Sequence, residues 1–185
     1  MKVHCSTLDR LELCPGSHFE ADGKPSLASF ESRFGTAGHR VIELAFAGGL
    51  TPEAAITVAL AYGLDKDDAV KITAAAEHAL ATYQHAGKRI LYEQRIERAL
   101  EPGLPDLSGR FDLLVIDHEE AHPLDPDQPI VKSVTLVDHK FTQDPNAASV
   151  DRRAQMAGLV ALVALEYPDI ESMKVDIHFP MLERV

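Results

Sequence analysis

The sequence predicts an α/β domain built on a mixed four-stranded sheet flanked by helices. Three observations carry that expectation. Helical periodicity runs through most of residues 36–87, and strand-like alternation replaces it after Gly87. A single long helical pattern at 148–167 then separates the last two strand-like runs. At 185 residues the chain is read as one domain, 1–185, with a helical insertion at about 51–87.

In order along the chain, TAGHRVIELAFA (36–47) carries apolar residues at helical spacing and is closed by Gly48-Gly49. Thr51-Pro52 opens a second helix as cap and first position, and Gly63 ends it. Asp65 and Asp68 start a long Ala-rich helix that runs to Gly87. The last two read as an antiparallel pair laid on the domain. RILYEQRIERAL (89–100) alternates as one strand with a wetter face, and Pro102, Gly103 and Pro105 break it. GRFDLLVID (109–117) is a second strand, apolar on both faces. HEEAHPLDPDQP reads as a loop, and SVTLVDHKF (133–141) as a third strand. The helix at 148–167 stops at Pro168, and MKVDIHF (173–179) is the fourth strand. A strand–helix–strand crossover is right-handed and makes the last two strands parallel, with the first three as an antiparallel meander.

The composition is that of an ordinary globular chain, 45% apolar and 25% charged. Its 29 acids against 18 bases give a net charge of −11, which argues against a sequence-independent DNA coat. No apolar run has the ~20 residues that span a bilayer, so no membrane partner and a cytoplasmic location are expected. Cys5 and Cys14 are the only cysteines and form no CxxC, which makes a disulfide framework unexpected.

The residues that suggest chemistry lie on the second and third strands. Asp138 and Lys140 are two apart on a strand and project to one face. Asp112 interrupts an apolar run, where a buried carboxylate is costly without a partner or a metal. Two carboxylates from neighbouring strands make a hard oxygen site suited to Mg²⁺.

Gly109…Asp112, then Asp138-x-Lys140, then Gln155 on the following helix resemble the signature of the PD-(D/E)XK nuclease superfamily. Gly35-Thr36-Ala37-Gly38-His39, with Glu43 beyond it, is similar to the RecB-type GxxxH…E motif. Ser6-Thr7-Leu8…Cys14-Pro15 resembles the opening segment of RecB-type and phage-associated nucleases. The ordered set spans most of the chain. It implies a restriction-endonuclease-like core and a Mg²⁺- or Mn²⁺-dependent deoxyribonuclease, with an exonuclease of phage or recombination type expected. DNA is the implied partner, with a recombination or phage protein and a homo-oligomer left open.

The resemblance also implies roles. Asp112, Asp138 and His39 would bind the metal, while Lys140 would orient the attacking water and Gln155 would position Lys140 or the substrate. Glu43, one turn beyond His39, would orient that histidine. Glu93 is a further candidate for the metal region, and Arg110, Arg152 and Arg153 for contact with DNA. Where some relatives have an aromatic residue after the glutamine, this chain has Leu159. Two cysteines do not supply the four ligands of a [4Fe–4S] cluster, so none is expected, and Cys14 reads as a packed small hydrophobe. His118 and His122 read as loop residues, and His78 and His85 as exposed positions on the Ala-rich helix. The rival reading is a catalytically inactive member of the same fold, serving as a binding or assembly subunit. Under the leading reading, DNA affinity is weak without metal and substrate capture depends on a local groove or a partner, with Arg110, Lys140, Arg152 and Arg153 recurring near the proposed site.

Overall fold

The computed structural model describes residues 2–5, 29–85, 87–99, 102, 106–125, 127–141 and 153–181. Cys14, the Ser6–Leu8 segment and Arg152 lie outside them. The elements are β1 (Lys2–His4), α1 (Phe30–Phe46), α2 (Pro52–Ala61), α3 (Lys66–Tyr83), β2 (Arg89–Tyr92), β3 (Arg95–Arg98), β4 (Asp106–Arg110), β5 (Leu113–Glu120), β6 (Ile130–His139), α4 (Arg153–Glu166) and β7 (Ser172–His178).

The helix boundaries follow local chemistry. The Ser29 hydroxyl accepts from Ser32 N, which starts α1 six residues before the apolar periodicity becomes clear. Thr51 caps α2 in the same way, with Pro52 at its first position. Asp65 and Asp68 cap α3 reciprocally, each carboxylate accepting from the other residue's backbone N–H. Gly48 and Gly63 end α1 and α2 with positive φ.

The expected four-stranded sheet is present, in the order β2-β5-β6-β7. β2, β5 and β6 form the antiparallel meander, and β6 and β7 are parallel across the α4 crossover. Successive residues of β5 serve opposite faces. Leu113 and Val115 pack with Val137 and Tyr83 on the α3 side, while Leu114 and Ile116 pack with Leu136, Leu162 and Val163 on the α4 side. The strand is apolar on both faces because both faces are covered. α1, α2 and α3 share a separate cluster built on Val41, Ile42, Ala55, Ala59, Ile72 and Ala76.

Two predicted strands are each divided. Residues 89–100 give β2 and β3, and the 109–117 region gives β4 and β5. β3 and β4 belong to a second sheet, β1-β4-β3, in which β1 is parallel to β4. The pairing nevertheless continues across the break. Tyr92 is opposite Leu113 and Arg95 is opposite Arg110, with Glu93 N donating to Asp112 O (2.9 Å) and Phe111 N to Gln94 O (3.2 Å) between them. One antiparallel ribbon therefore bends and changes sheets. The bend is made at Glu93, the only non-glycine with positive φ (49°) among the described residues.

The acidic stretch after residue 117 is shorter as a loop than expected. His118, Glu119 and Glu120 extend β5 through a register irregularity, because β6 begins early enough to pair with them. His122 Nδ1 then accepts from Leu124 N and Asp125 N and shapes the turn.

Candidate metal centre

The bend of the ribbon brings two carboxylates to one place. Glu93 and Asp112 stand at the joint between the sheets, and α1 lays His39 over them. His39 Nδ1 is 3.6 Å from a Glu93 oxygen and 3.6 Å from Asp112 Oδ2. One ligand atom from each of these three residues lies within 4.8 Å of the others, a spacing that would hold a metal ion. All three side chains are half-buried along a cleft of about 400 Å³ also lined by Thr36, Arg40, Glu43, Tyr62 and Arg110.

The helix reaches this position because Gly38 gives it room. A Cβ on Gly38 would lie 2.4 Å from the Phe141 ring, which itself packs edge-on against His39 at 5.4 Å between centroids. Gly35, the first glycine of the GxxxH pattern, has open space where a side chain would be.

Asp138 and Lys140 are adjacent to this group. The Lys140 ammonium pairs with the Asp138 carboxylate, and both side chains are nearly buried. The close group contains Glu93, a further candidate for the metal region, while the Asp138 carboxylate is engaged by Lys140. Asp112 Oδ2 accepts from His139 N (2.7 Å), which ties the ribbon to β6 beside the Asp138–Lys140 pair.

The electrostatics are those of crowded acids. Burial, then the nearby Asp138 charge, pushes the Asp112 carboxyl up to about 7. Burial and Asp112 together raise Glu93. Burial holds His39 below its ordinary range although Glu93 pulls the other way, so the neutral ring keeps a lone pair for a metal. A neutral imidazole and two carboxylates whose ionisation is opposed by burial and by each other make a donor set that a divalent cation fits.

The other predicted residues have different surroundings. Glu43 pairs with Arg40, and the carboxylates beside His39 are those of Glu93 and Asp112. Glu43, expected to orient His39, has its carboxylate paired with its own helix neighbour and lines the same cleft. Arg110 is exposed and forms an ion pair through Nε with Glu93 (3.0 Å). Gln155, half-buried on α4, lines a second cleft with His4, Arg95, Gly109, Arg110 and Asp112, so Asp112 borders both. Arg153 opens α4. α4 comes close because Gly109 has no side chain: a Cβ there would be 2.6 Å from Leu159. Cys5 is buried, and burial pushes its thiol up to about 11.

Sequence reasoning missed a buried histidine chain. His78 is not a free surface residue: its Nδ1 is 3.1 Å from His178 Nε2, and His178 Nδ1 is 3.0 Å from His139 Nδ1. Tyr83 packs against both buried rings and donates its hydroxyl to Asp176 (2.9 Å). Burial and the neighbouring histidine keep His139 well below its ordinary value, hence neutral. The histidines lie far apart in sequence, and no spacing pattern announces them.

No family model matches the chain, and no curated protein is similar to it in sequence. No helix among the described residues is long and apolar enough to cross a membrane.

Proposed function

We propose that this chain is a divalent-metal-dependent nuclease of the PD-(D/E)XK type that hydrolyses DNA phosphodiesters, with exonuclease action of phage or recombination type. The observation that supports the reading best is the meeting of His39, Glu93 and Asp112 beside the Asp138–Lys140 pair. The mixed sheet with its parallel crossover, and the order of the motifs along it, are compatible with a restriction-endonuclease-like core.

Mg²⁺ or Mn²⁺ held by His39, Glu93 and Asp112 would polarise a phosphoryl oxygen and make water a better nucleophile near neutral pH. Lys140 pairs with Asp138 and is close enough to His39 and Asp112 to act on their charge, so its ammonium would stabilise the growing negative charge on phosphate. Asp138 is therefore a positioning residue for Lys140 in this reading. Arg110, exposed between the two clefts, would bind a backbone phosphate, and Gln155 would bind the strand on the second cleft's side.

The test is digestion of end-labelled linear, circular and single-stranded DNA with Mg²⁺ or Mn²⁺. Degradation that EDTA stops and that is lost in Asp112→Ala and Lys140→Ala is the expected result. Intact DNA under every metal condition, at high protein concentration, would overturn the proposal. Equal cutting of circular and linear substrates would replace exonuclease with endonuclease action.

A further inference from the structure

β7 is an outer strand of the four-stranded sheet, and among the described residues nothing pairs with its free edge. Its backbone orientation follows from one bond. The His178 carbonyl accepts from Lys140 N (2.8 Å), so His178 turns its polar groups toward β6. By the alternation of a strand, Asp176 and Lys174 turn inward as well, and Met173, Val175 and Ile177 present their N–H and C=O groups outward. A row of backbone groups directed away from the sheet is a template for another strand.

The side chains select the occupant. Val175 and Ile177 are 42% and 37% exposed, on the face whose α4-side cluster takes in Leu136 and Met173. Leu165 on α4 is 51% exposed. Lys174 and Asp176 alternate with these residues on the opposite face. In an antiparallel pair of two β7 strands centred on Val175, Lys174 of each copy stands opposite Asp176 of the other. Met173 then stands opposite Ile177, and all the outward backbone groups of Met173, Val175 and Ile177 meet partners. Sliding the pair by one step in either direction puts Lys174 opposite Lys174 or Asp176 opposite Asp176, which is unfavourable for directly opposed like charges. The strand is thus complementary to itself in one register, and a twofold pairing closes on two copies.

We infer that this protein forms a homodimer through antiparallel pairing of β7 with β7 about Val175, joining two four-stranded sheets into one. The interface is independent of the proposed nuclease activity.

The test is sedimentation velocity and light scattering of the full chain across a concentration series. The expected result is a dimer that dissociates on dilution. Val175→Pro removes an N–H that points away from β6, so it leaves the internal ladder intact and yields a monomer. Lys174→Asp opposes acids across the axis and also yields a monomer, with unchanged far-UV circular dichroism. Asp176→Lys opposes bases in the same way. An equimolar mixture of those two charge variants restores the dimer, because one chain then carries only acids and the other only bases at the paired positions. A native chain that stays monomeric at every concentration overturns the inference. So does a dimer that survives both Val175→Pro and Lys174→Asp, or a mixture that gains no association. If Val175→Pro fails to fold, the charge-variant mixture decides the question.

Discussion

Glu93 and Asp112 are joined twice: Glu93 N donates to the Asp112 carbonyl at 2.9 Å, and both carboxylates stand beside His39 Nδ1. The backbone bond holds the bend of the ribbon, and the bend brings the two charges together. A conformation costly for glutamate, with positive φ, is held at the point where its side chain meets His39 and Asp112.

The ligand set predicts an order of effects. Glu93→Gln and Asp112→Asn should each weaken Mn²⁺ binding by more than the ~10–100-fold that loss of an outer partner costs. Asp138→Asn should weaken it less than either, since its oxygens are engaged by Lys140. Titration calorimetry or Mn²⁺ paramagnetic resonance reads the order. An equal loss in Asp138→Asn would return that residue to the ligands.

Asp112 makes the metal-free protein pH-sensitive in a stated direction. Its carboxyl titrates near 3.8 in an unfolded chain and at about 7 when folded. Between those values the folded state holds the extra proton, so this group's contribution to stability falls as pH rises through that window. The melting temperature of the native protein minus that of Asp112→Asn should therefore decline from about pH 4 to about pH 7 and then level off. A flat difference would show that Asp112 is not perturbed. Because the metal displaces the proton, Mn²⁺ affinity should also rise toward pH 7, with proton release visible as a buffer-dependent binding enthalpy.

Lys140→Met should separate binding from chemistry. Cleavage should fall about 10²–10³-fold, the weight of one preorganised charge-stabilising donor, while Mn²⁺ binding persists. The nearly buried Asp138 loses its partner, so the metal-free variant should lose about 3 kcal/mol in urea unfolding. Mn²⁺ should recover part of that loss. Retained cleavage would exclude Lys140 from the reaction.

Two glycines four residues from and next to His39 should respond in opposite ways. Gly38→Ala drives a methyl into the Phe141 ring and should cost about 1–3 kcal/mol, with partial recovery when Phe141 is also changed to Leu. Gly35→Ala meets open space inside α1 and should stabilise the protein by about 0.5–1 kcal/mol. Thermal unfolding of the two variants checks the contrast.

Much of the fold was readable because it depended on local chemistry. The caps at Thr51 and Asp65, the glycine stops and the period change after Gly87 each fix a boundary by short-range rules. The division of two strands was not readable. Glu93 and Asp112 interrupt neither the alternation nor the pairing, and only the tertiary crossing of two sheets bends the ribbon there. The same bend brings Glu93 beside His39 and Asp112, so one unread backbone angle accounts for both the missed strand ends and that cluster. Asp138–Lys140 was readable because strand alternation alone puts them together. His78 and His178 were not, being 100 residues apart in sequence.

The histidine chain changes what the helical segment at 51–87 is for. His78 on α3 holds His178, His178 holds His139, and the His139 amide holds Asp112. Excising those helices would leave His178 facing water and slacken the strand whose N–H holds the Asp112 carboxylate. Three rings and one amide thus link α3 to the Asp112 carboxylate across the sheet.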